Sequence, residues 1–113
     1  ERLLMKTKVV SSSVVKLYDE FGTLEVCDLD DNCFLIVNME VRPEFRGQGH
    51  GKHMVKEAKK HCLLGDMMFA SSEEGAVGFW EKIGEEMDID KVPLAVKIAV
   101  KGFKHDKLKL FRV

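Results

Sequence analysis

The stretch VRPEFRGQGHGKH, residues 41–53, decides how the rest of the chain is read. Gly47, Gly49 and Gly51 stand at alternate positions, after Arg46 and before an amphipathic run. Glycine at that density destabilises a helix or a strand, so a backbone requirement must hold it there. Upstream, Cys33 to Val41 is nearly all apolar, the pattern of a central strand covered on both faces. Downstream, Met54, Val55, Ala58 and Cys62 recur at helical spacing, with Lys52, Lys56, Lys59 and Lys60 forming a solvated face. The glycines therefore lie where a strand turns into a helix. The first turn of a helix has amides without an intrahelical acceptor and a partial positive charge. Glycines leave those amides open to a ligand. The stretch thus reads as an anion cradle, best suited to a pyrophosphate, with Arg46 and Lys52 adding charge at its edges. A capping turn with spare glycines is the purely structural alternative.

The totals set the frame. At 113 residues the chain is read as one domain, residues 1–113, with a single modest core. Hydrophobic residues make 45% and charged residues 33%, the balance of a soluble globular protein. A net charge of −1 gives no global pull toward nucleic acid or an anionic membrane. No apolar run approaches the roughly 20 residues that span a bilayer, and no signal peptide is visible. Cys27, Cys33 and Cys62 are odd in number and contain no CxxC pair. That argues against a disulfide framework or a zinc ribbon and favours a reducing, cytoplasmic setting. His50 and His53 lie three apart on the expected helix, but no nearby cysteine or acid completes a metal set. Two solvated histidines beside the loop are expected instead.

The first forty residues read as a strand meander. Lys6–Val10 and Val14–Tyr18 flank a Ser11-Ser12-Ser13 turn, and Thr23–Leu29 follows a turn at Asp19–Gly22. Leu24 and Val26 share one face of that third strand. Asp30-Asp31-Asn32 makes another turn. Beyond the helix, Gly65 is a natural stop, and Met67–Ala70 is a short buried strand. Ser71 and Glu74 fit a capping box for a second helix, with Ala76, Val77, Trp80 and Ile83 on its core face and Gly84 at its end. Gly75 and Gly78 inside that helix suggest a close backbone approach, either to the neighbouring helix or to a cofactor. Val92–Val100 and Leu108–Val113 read as two final strands, the first limited by Pro93. The sum is an α/β or α+β protein, a mixed, mostly antiparallel sheet with helices on its faces.

Two familiar phosphate loops do not fit. A Walker loop needs G-x-x-x-x-G-K-[ST], and Lys52 is followed by His53 with the wrong glycine spacing. A dinucleotide fingerprint needs G-x-G-x-x-G and a later acidic residue, and both are missing. A different family does match. VRPEFRGQGHG resembles the coenzyme A pyrophosphate loop of GNAT-type N-acetyltransferases, [QR]-x-x-G-x-[GA]. Arg46, Gly49 and Gly51 occupy its defining positions, and Val41, Pro43, Arg46 and Gly47 form the usual lead-in. AVGFWEKIG, residues 76–84, is similar to the family helix A-x-x-F-Y-E-K-L-G. The resemblance covers about residues 14 to 113.

The resemblance implies acetyl transfer from acetyl-CoA, the co-substrate, to an amine by direct attack. It implies a bulge near Val41 that splays the central strand from the next, with pantetheine in the gap beside Met39 and Val41. The amide of Val41 would stabilise the thioester oxyanion. Gly47 and the amides of Gln48, Gly49, His50 and Gly51 would hold the pyrophosphate, with Arg46 and Lys52 at its rim. Phe79 and Trp80 would sit near the cofactor, although at least one aromatic of the pair is expected in the core. Glu40 is the nearest carboxylate to serve as base, through water, or else a surface or structural acid.

The chain also departs from the family pattern. Asn38 stands where a carboxylate is common. Trp80 replaces the tyrosine that protonates the departing thiolate, and an indole N–H is no such donor. Tyr18, the only tyrosine, belongs to an early strand, as an acceptor-site residue or part of a sheet face. Only thirteen residues precede Val14, so the usual N-terminal helices are expected to be absent, through truncation or in a minimal form. An open acceptor site suits a lysine or N-terminus on another protein. Glu81, Glu85, Glu86, Asp88 and Asp90 form an acidic cluster that either attracts a basic partner or is a solvated turn. Two alternatives stand beside the protein acetyltransferase: a coenzyme A-binding module with little or no catalysis, and a small-molecule amine acetyltransferase. A homodimer through the last strands or a bared surface is left open.

Overall fold

The computed structural model describes residues 5–30, 32–62, 67–72, 76–102 and 108–113. Its contacts divide the chain into two compact units. One is Glu1–Cys27 with Ile36–Gly65, the other Asp28–Leu35 with Asp66–Val113.

The first unit is built on a meander. β1 (Lys6–Val9) pairs antiparallel with β2 (Val14–Asp19), Lys6 opposite Tyr18 and Val9 opposite Val15. β2 pairs antiparallel with β3 (Gly22–Asp28), from Val14 opposite Cys27 to Asp19 opposite Gly22. Glu20 and Phe21 are left as a two-residue turn. Asp19 closes it: its Oδ1 accepts the amides of Phe21 at 2.8 Å and Gly22 at 3.1 Å. That is the local hydrogen bonding that makes Asp a turn residue. Along β3, Gly22, Leu24 and Val26 are buried in strict alternation, as expected of a half-covered strand. β1 is exposed along its whole length.

β4 (Cys33–Val41) has the bounds its apolar run predicts, but its two halves differ. Cys33, Leu35 and Ile36 are buried, whereas Asn38 and Glu40 are exposed. Double cover thus holds only for the beginning of the strand. α1 (His50–His61) follows, with Met54, Val55 and Ala58 among its buried residues and Lys52, Lys56, Lys59 and Lys60 exposed. Each fully buried side chain such as Leu24 or Met54 contributes roughly 1.5–3 kcal/mol over an exposed one.

The second unit centres on β7 (Lys109–Arg112). It pairs antiparallel with β5 (Met67–Ser72) on one side and β6 (Glu85–Met87) on the other. α2 (Val77–Ile83) and α3 (Leu94–Lys101) complete the unit. Met68, Ala70, Trp80, Val92, Val96, Leu110 and Phe111 are buried.

Three sequence expectations are corrected here. Val92–Val100 is not a strand: residues 94–101 form α3. The amides of Val96 and Lys97 donate to the Pro93 carbonyl at 3.0 and 3.1 Å, so proline opens a helix rather than limiting a strand. Val92 and Val96 are buried, while Leu94 and Ile98 are 66% and 63% exposed, a helical period hidden under β-branched composition. The capping box also fails. Ser71 belongs to β5, and α2 starts at Val77 with Ala76 as its cap and no side-chain cap bond. Glu74 and Gly75 lie outside the described residues, as does Gly65. Third, Glu85 and Glu86 are strand residues of β6 rather than an acidic turn, and Glu86 faces the Lys109 ammonium at 3.6 Å. Among the described residues, no helix is long and apolar enough to cross a membrane.

Candidate functional site

The backbone between β4 and α1 takes a defined path. The Arg42 amide donates to the Phe21 carbonyl at 2.8 Å, which extends the ladder one residue past β4. Pro43–Phe45 then makes one 3-10 turn, closed by the Phe45 amide on the Arg42 carbonyl at 2.9 Å. Arg46 is extended, and Gly47 and Gly49 both have positive φ, +78° and +83°. Only glycine adopts that region without steric penalty, which accounts for two of the three alternate glycines. Gly49 is the residue that caps α1, and its carbonyl accepts the His53 amide at 3.1 Å.

No side chain caps this helix, and its first turn carries no acidic residue. Its first amides therefore have no intrahelical acceptor and lie at the positive end of the helix dipole. A Cβ placed on Gly47 or Gly49 would meet nothing within 4 Å. Among the described residues, none fills the space beside these two glycines. Arg46 and Lys52 are exposed on either side of it. The Arg46 side chain is oriented, because its Nε donates to the Val41 carbonyl at 2.9 Å. Gln48 reaches back with its Nε2 to the Glu44 carbonyl at 3.4 Å. The donors, charges and open volume suit a diphosphate.

The end of β4 offers a second feature. Successive amides of a strand point to opposite edges. The Arg42 amide points at Phe21, so the Val41 amide points away from β3. Met39 and Val41 are half-buried, and Asn38 and Glu40 share the exposed face. Asn38 Nδ2 lies 3.5 Å from the Glu25 carboxylate, which engages its side chain in a cross-strand pair. Tyr18 is half-buried in β2 opposite Thr23, as part of the sheet.

An aromatic cluster escaped the sequence reading. The Phe21 ring stacks on the His50 imidazole at 3.9 Å and 16°. Phe45 meets Phe21 edge-on at 4.8 Å and His50 edge-on at 5.8 Å. His50 is thus packed rather than solvated, which corrects the expectation for it. His53 is 28% exposed and 3.9 Å from the carboxylate of Glu57, so it is not solvated alone either. Among the described residues, no three His, Cys, Asp or Glu side chains gather in a metal-binding group. Nothing in a lone Phe at a hairpin tip signals such packing. Only the pairing register brings position 21 to position 42.

In the second unit, Trp80 is 4% exposed and in the core, as expected for at least one of the aromatic pair. Phe79 meets it edge-on at 5.0 Å and keeps part of its surface exposed. A Cβ on Gly78 would meet nothing within 4 Å, so among the described residues no neighbouring helix approaches it closely.

Residues 10–84 match the family model described as the acetyltransferase (GNAT) family. Three solved structures share the fold. GCN5 of Tetrahymena is 12% identical with a TM-score of 0.70, over 91% of this chain and 70% of that one. A GNAT-family acetyltransferase of Staphylococcus aureus MU50 is 16% identical with a TM-score of 0.66, over 88% and 65%. N-acetylglutamate synthase of Neisseria gonorrhoeae, complexed with coenzyme A and N-acetyl-glutamate, is 17% identical with a TM-score of 0.68, over 89% and 26%. This chain therefore spans about two thirds of the first two and a quarter of the third. No curated protein matches it in sequence.

Proposed function

The chain belongs to the acetyltransferase (GNAT) family, acyltransferases whose co-substrate is acetyl-CoA, and from that premise we propose that it acetylates an amine on another protein, a lysine or an N-terminus. The observation that carries the reading is the loop. Two positive-φ glycines set uncapped helix amides beside open space, flanked by Arg46 and Lys52. In this reading, Gly47 and the amides of Gln48, Gly49, His50 and Gly51 bind the diphosphate of coenzyme A, and Arg46 and Lys52 neutralise part of its charge.

The remaining roles follow along β4. Met39 and Val41 guide the pantetheine arm. The Val41 amide, pointed away from β3, donates to the thioester carbonyl oxygen and stabilises the negative charge that grows there as the amine attacks. The new bond is C–N and the broken one is C–S, and the sulfur leaves as thiolate. A lysine amine begins near pKa 10.4 and must give up a proton. Glu40, exposed two residues from Asn38, accepts it through water. Phe79 is the member of the aromatic pair that keeps exposed surface. The exposure of Glu40 and Asn38 at the end of β4 supports a large acceptor over an enclosed small one.

A second reading keeps the cofactor and drops the chemistry. Trp80 is buried and lacks a hydroxyl to protonate the thiolate, and Asn38 is no base. Calorimetry with acetyl-CoA and coenzyme A tests the cofactor, and silence at high micromolar concentration removes both readings. Thiol release in a lysine-rich protein mixture separates them, as does a gain of one acetyl mass on an acceptor. Binding without release leaves the module.

A further inference from the structure

We propose that Phe21 is a positioning residue for the diphosphate loop, an inference that rests on the coenzyme A reading above. The residue sits outside the loop, at the tip of the β2–β3 hairpin, yet it touches the loop at three points. Its carbonyl accepts the Arg42 amide at 2.8 Å where the loop begins. Its ring receives Phe45 edge-on at 4.8 Å in the 3-10 turn. The same ring stacks at 3.9 Å on His50, the first residue of α1, where the loop ends. Start, middle and end of the connection are gathered on one residue.

The hairpin tip is itself held. Asp19 Oδ1 accepts the amides of Phe21 and Gly22, and a Cβ on Gly22 would collide with the Glu40 carbonyl oxygen. Gly22 therefore lets the tip lie directly against the end of β4. The chain of support runs from Asp19 and Gly22 through Phe21 to His50. It matters because Gly47 and Gly49, which give the loop its shape, also give it the largest conformational freedom in the unbound state. A loop of glycines binds well only if something else reduces its alternatives before the ligand arrives. The aromatic brace supplies that restriction from outside and leaves the space beside the amides open.

A structural contact alone would affect stability; a positioning residue affects cofactor binding separately from turnover. The test measures the affinity of coenzyme A by calorimetry, and KM and kcat for acetyl-CoA, on wild type, Phe21→Ala, Phe21→Tyr and His50→Ala. Loss of the two ring contacts is expected to weaken coenzyme A binding roughly tenfold in Phe21→Ala. KM for acetyl-CoA rises by a similar factor while kcat at saturation stays within about twofold. Phe21→Tyr keeps the ring and restores affinity to within about twofold of wild type. His50→Ala, half-exposed and at a helix start, removes the stack from the other side and reproduces most of the loss. It also carries the test if Phe21→Ala fails to fold by circular dichroism. Wild-type affinity in a folded Phe21→Ala or in His50→Ala overturns the brace and leaves the cofactor reading intact. So does a fall in kcat with unchanged affinity. A wild-type protein that binds no coenzyme A overturns both.

Discussion

Gly22 and Gly49 mark the two ends of the same corner of the first unit, and they are glycines for opposite reasons. At Gly22 the backbone is an ordinary strand, and the space is taken: a methyl group would run into the Glu40 carbonyl and approach the Val41 Cα at 3.0 Å. At Gly49 the space is empty within 4 Å, and the backbone is what excludes other residues, at φ +83°. The first glycine brings two pieces of protein together. The second shapes a surface that no other described residue fills. Glycines of the first kind hold a fold, and glycines of the second kind, next to uncapped helix amides, carry the proposal of a ligand site. Gly84 repeats the first kind in the second unit, where a methyl group would lie 2.7 Å from the Arg112 carbonyl oxygen.

This difference predicts a separation of stability from binding. The largest effect is expected at Gly22. Gly22→Val forces branched carbon into the Glu40 carbonyl and should destabilise by about 3 kcal/mol, the upper range for overpacking. Urea unfolding monitored by circular dichroism reads this, and an unchanged midpoint would break the distinction at its structural end. Gly49→Glu comes next. It puts bulk and negative charge where we propose that the diphosphate binds, so coenzyme A affinity should fall at least about a hundredfold, or roughly 2.7 kcal/mol. The same change should lower stability by only about 1–2 kcal/mol, the strain of a non-glycine residue at positive φ. A variant that still binds coenzyme A normally would sink the assignment of the loop.

Gly47→Asn sharpens the contrast further. Asparagine tolerates positive φ better than other side chains, so stability should drop by less than about 1 kcal/mol. Its side chain enters the same open space, so coenzyme A binding should weaken severalfold, read by calorimetry. Equal losses in stability and binding would mean that the loop's shape and its vacancy are not separable properties.

The same distinction explains what the chain discloses before it folds. β4 and α1 were legible because each carries its own periodicity, an apolar run and a helical stripe, and the positive-φ glycines between them follow from residue type alone. The strand, the glycine turn and the helix start were therefore readable from one stretch. Close approach is a property of two stretches, and Gly22 carries no sign of the Glu40 carbonyl it accommodates. Phe21 is hidden for the same reason, since its three contacts depend on how β3 lies against β4. α3 failed differently. Val92, Val96, Ile98 and Val100 favour a strand locally, and tertiary burial of Val92 and Val96 on one face decided for a helix. The start of α2 was misplaced because a Ser and a Glu at capping spacing do not act as a cap while Ser71 is held in the β5–β7 ladder.

Gly78 offers the smallest effect and the most discriminating control. It lies in α2, exposed, without a positive φ and with nothing within 4 Å of where a methyl group would go. It belongs to neither class, being neither bent nor crowded. A glycine in that position merely loses more backbone entropy on folding than alanine would. Gly78→Ala should therefore raise stability, by about 0.5–1 kcal/mol, visible as a shift of the urea midpoint to higher concentration. Coenzyme A affinity should not change if the vacancy beside Gly78 has no ligand in it. If instead the midpoint rises and affinity falls, the space over α2 touches a ligand. The similarity of AVGFWEKIG to the family helix would then reflect contact with the cofactor as well as the packing of Trp80. A lower midpoint would show that alanine meets an obstacle there, and Gly78 would join Gly22 among the glycines of close approach.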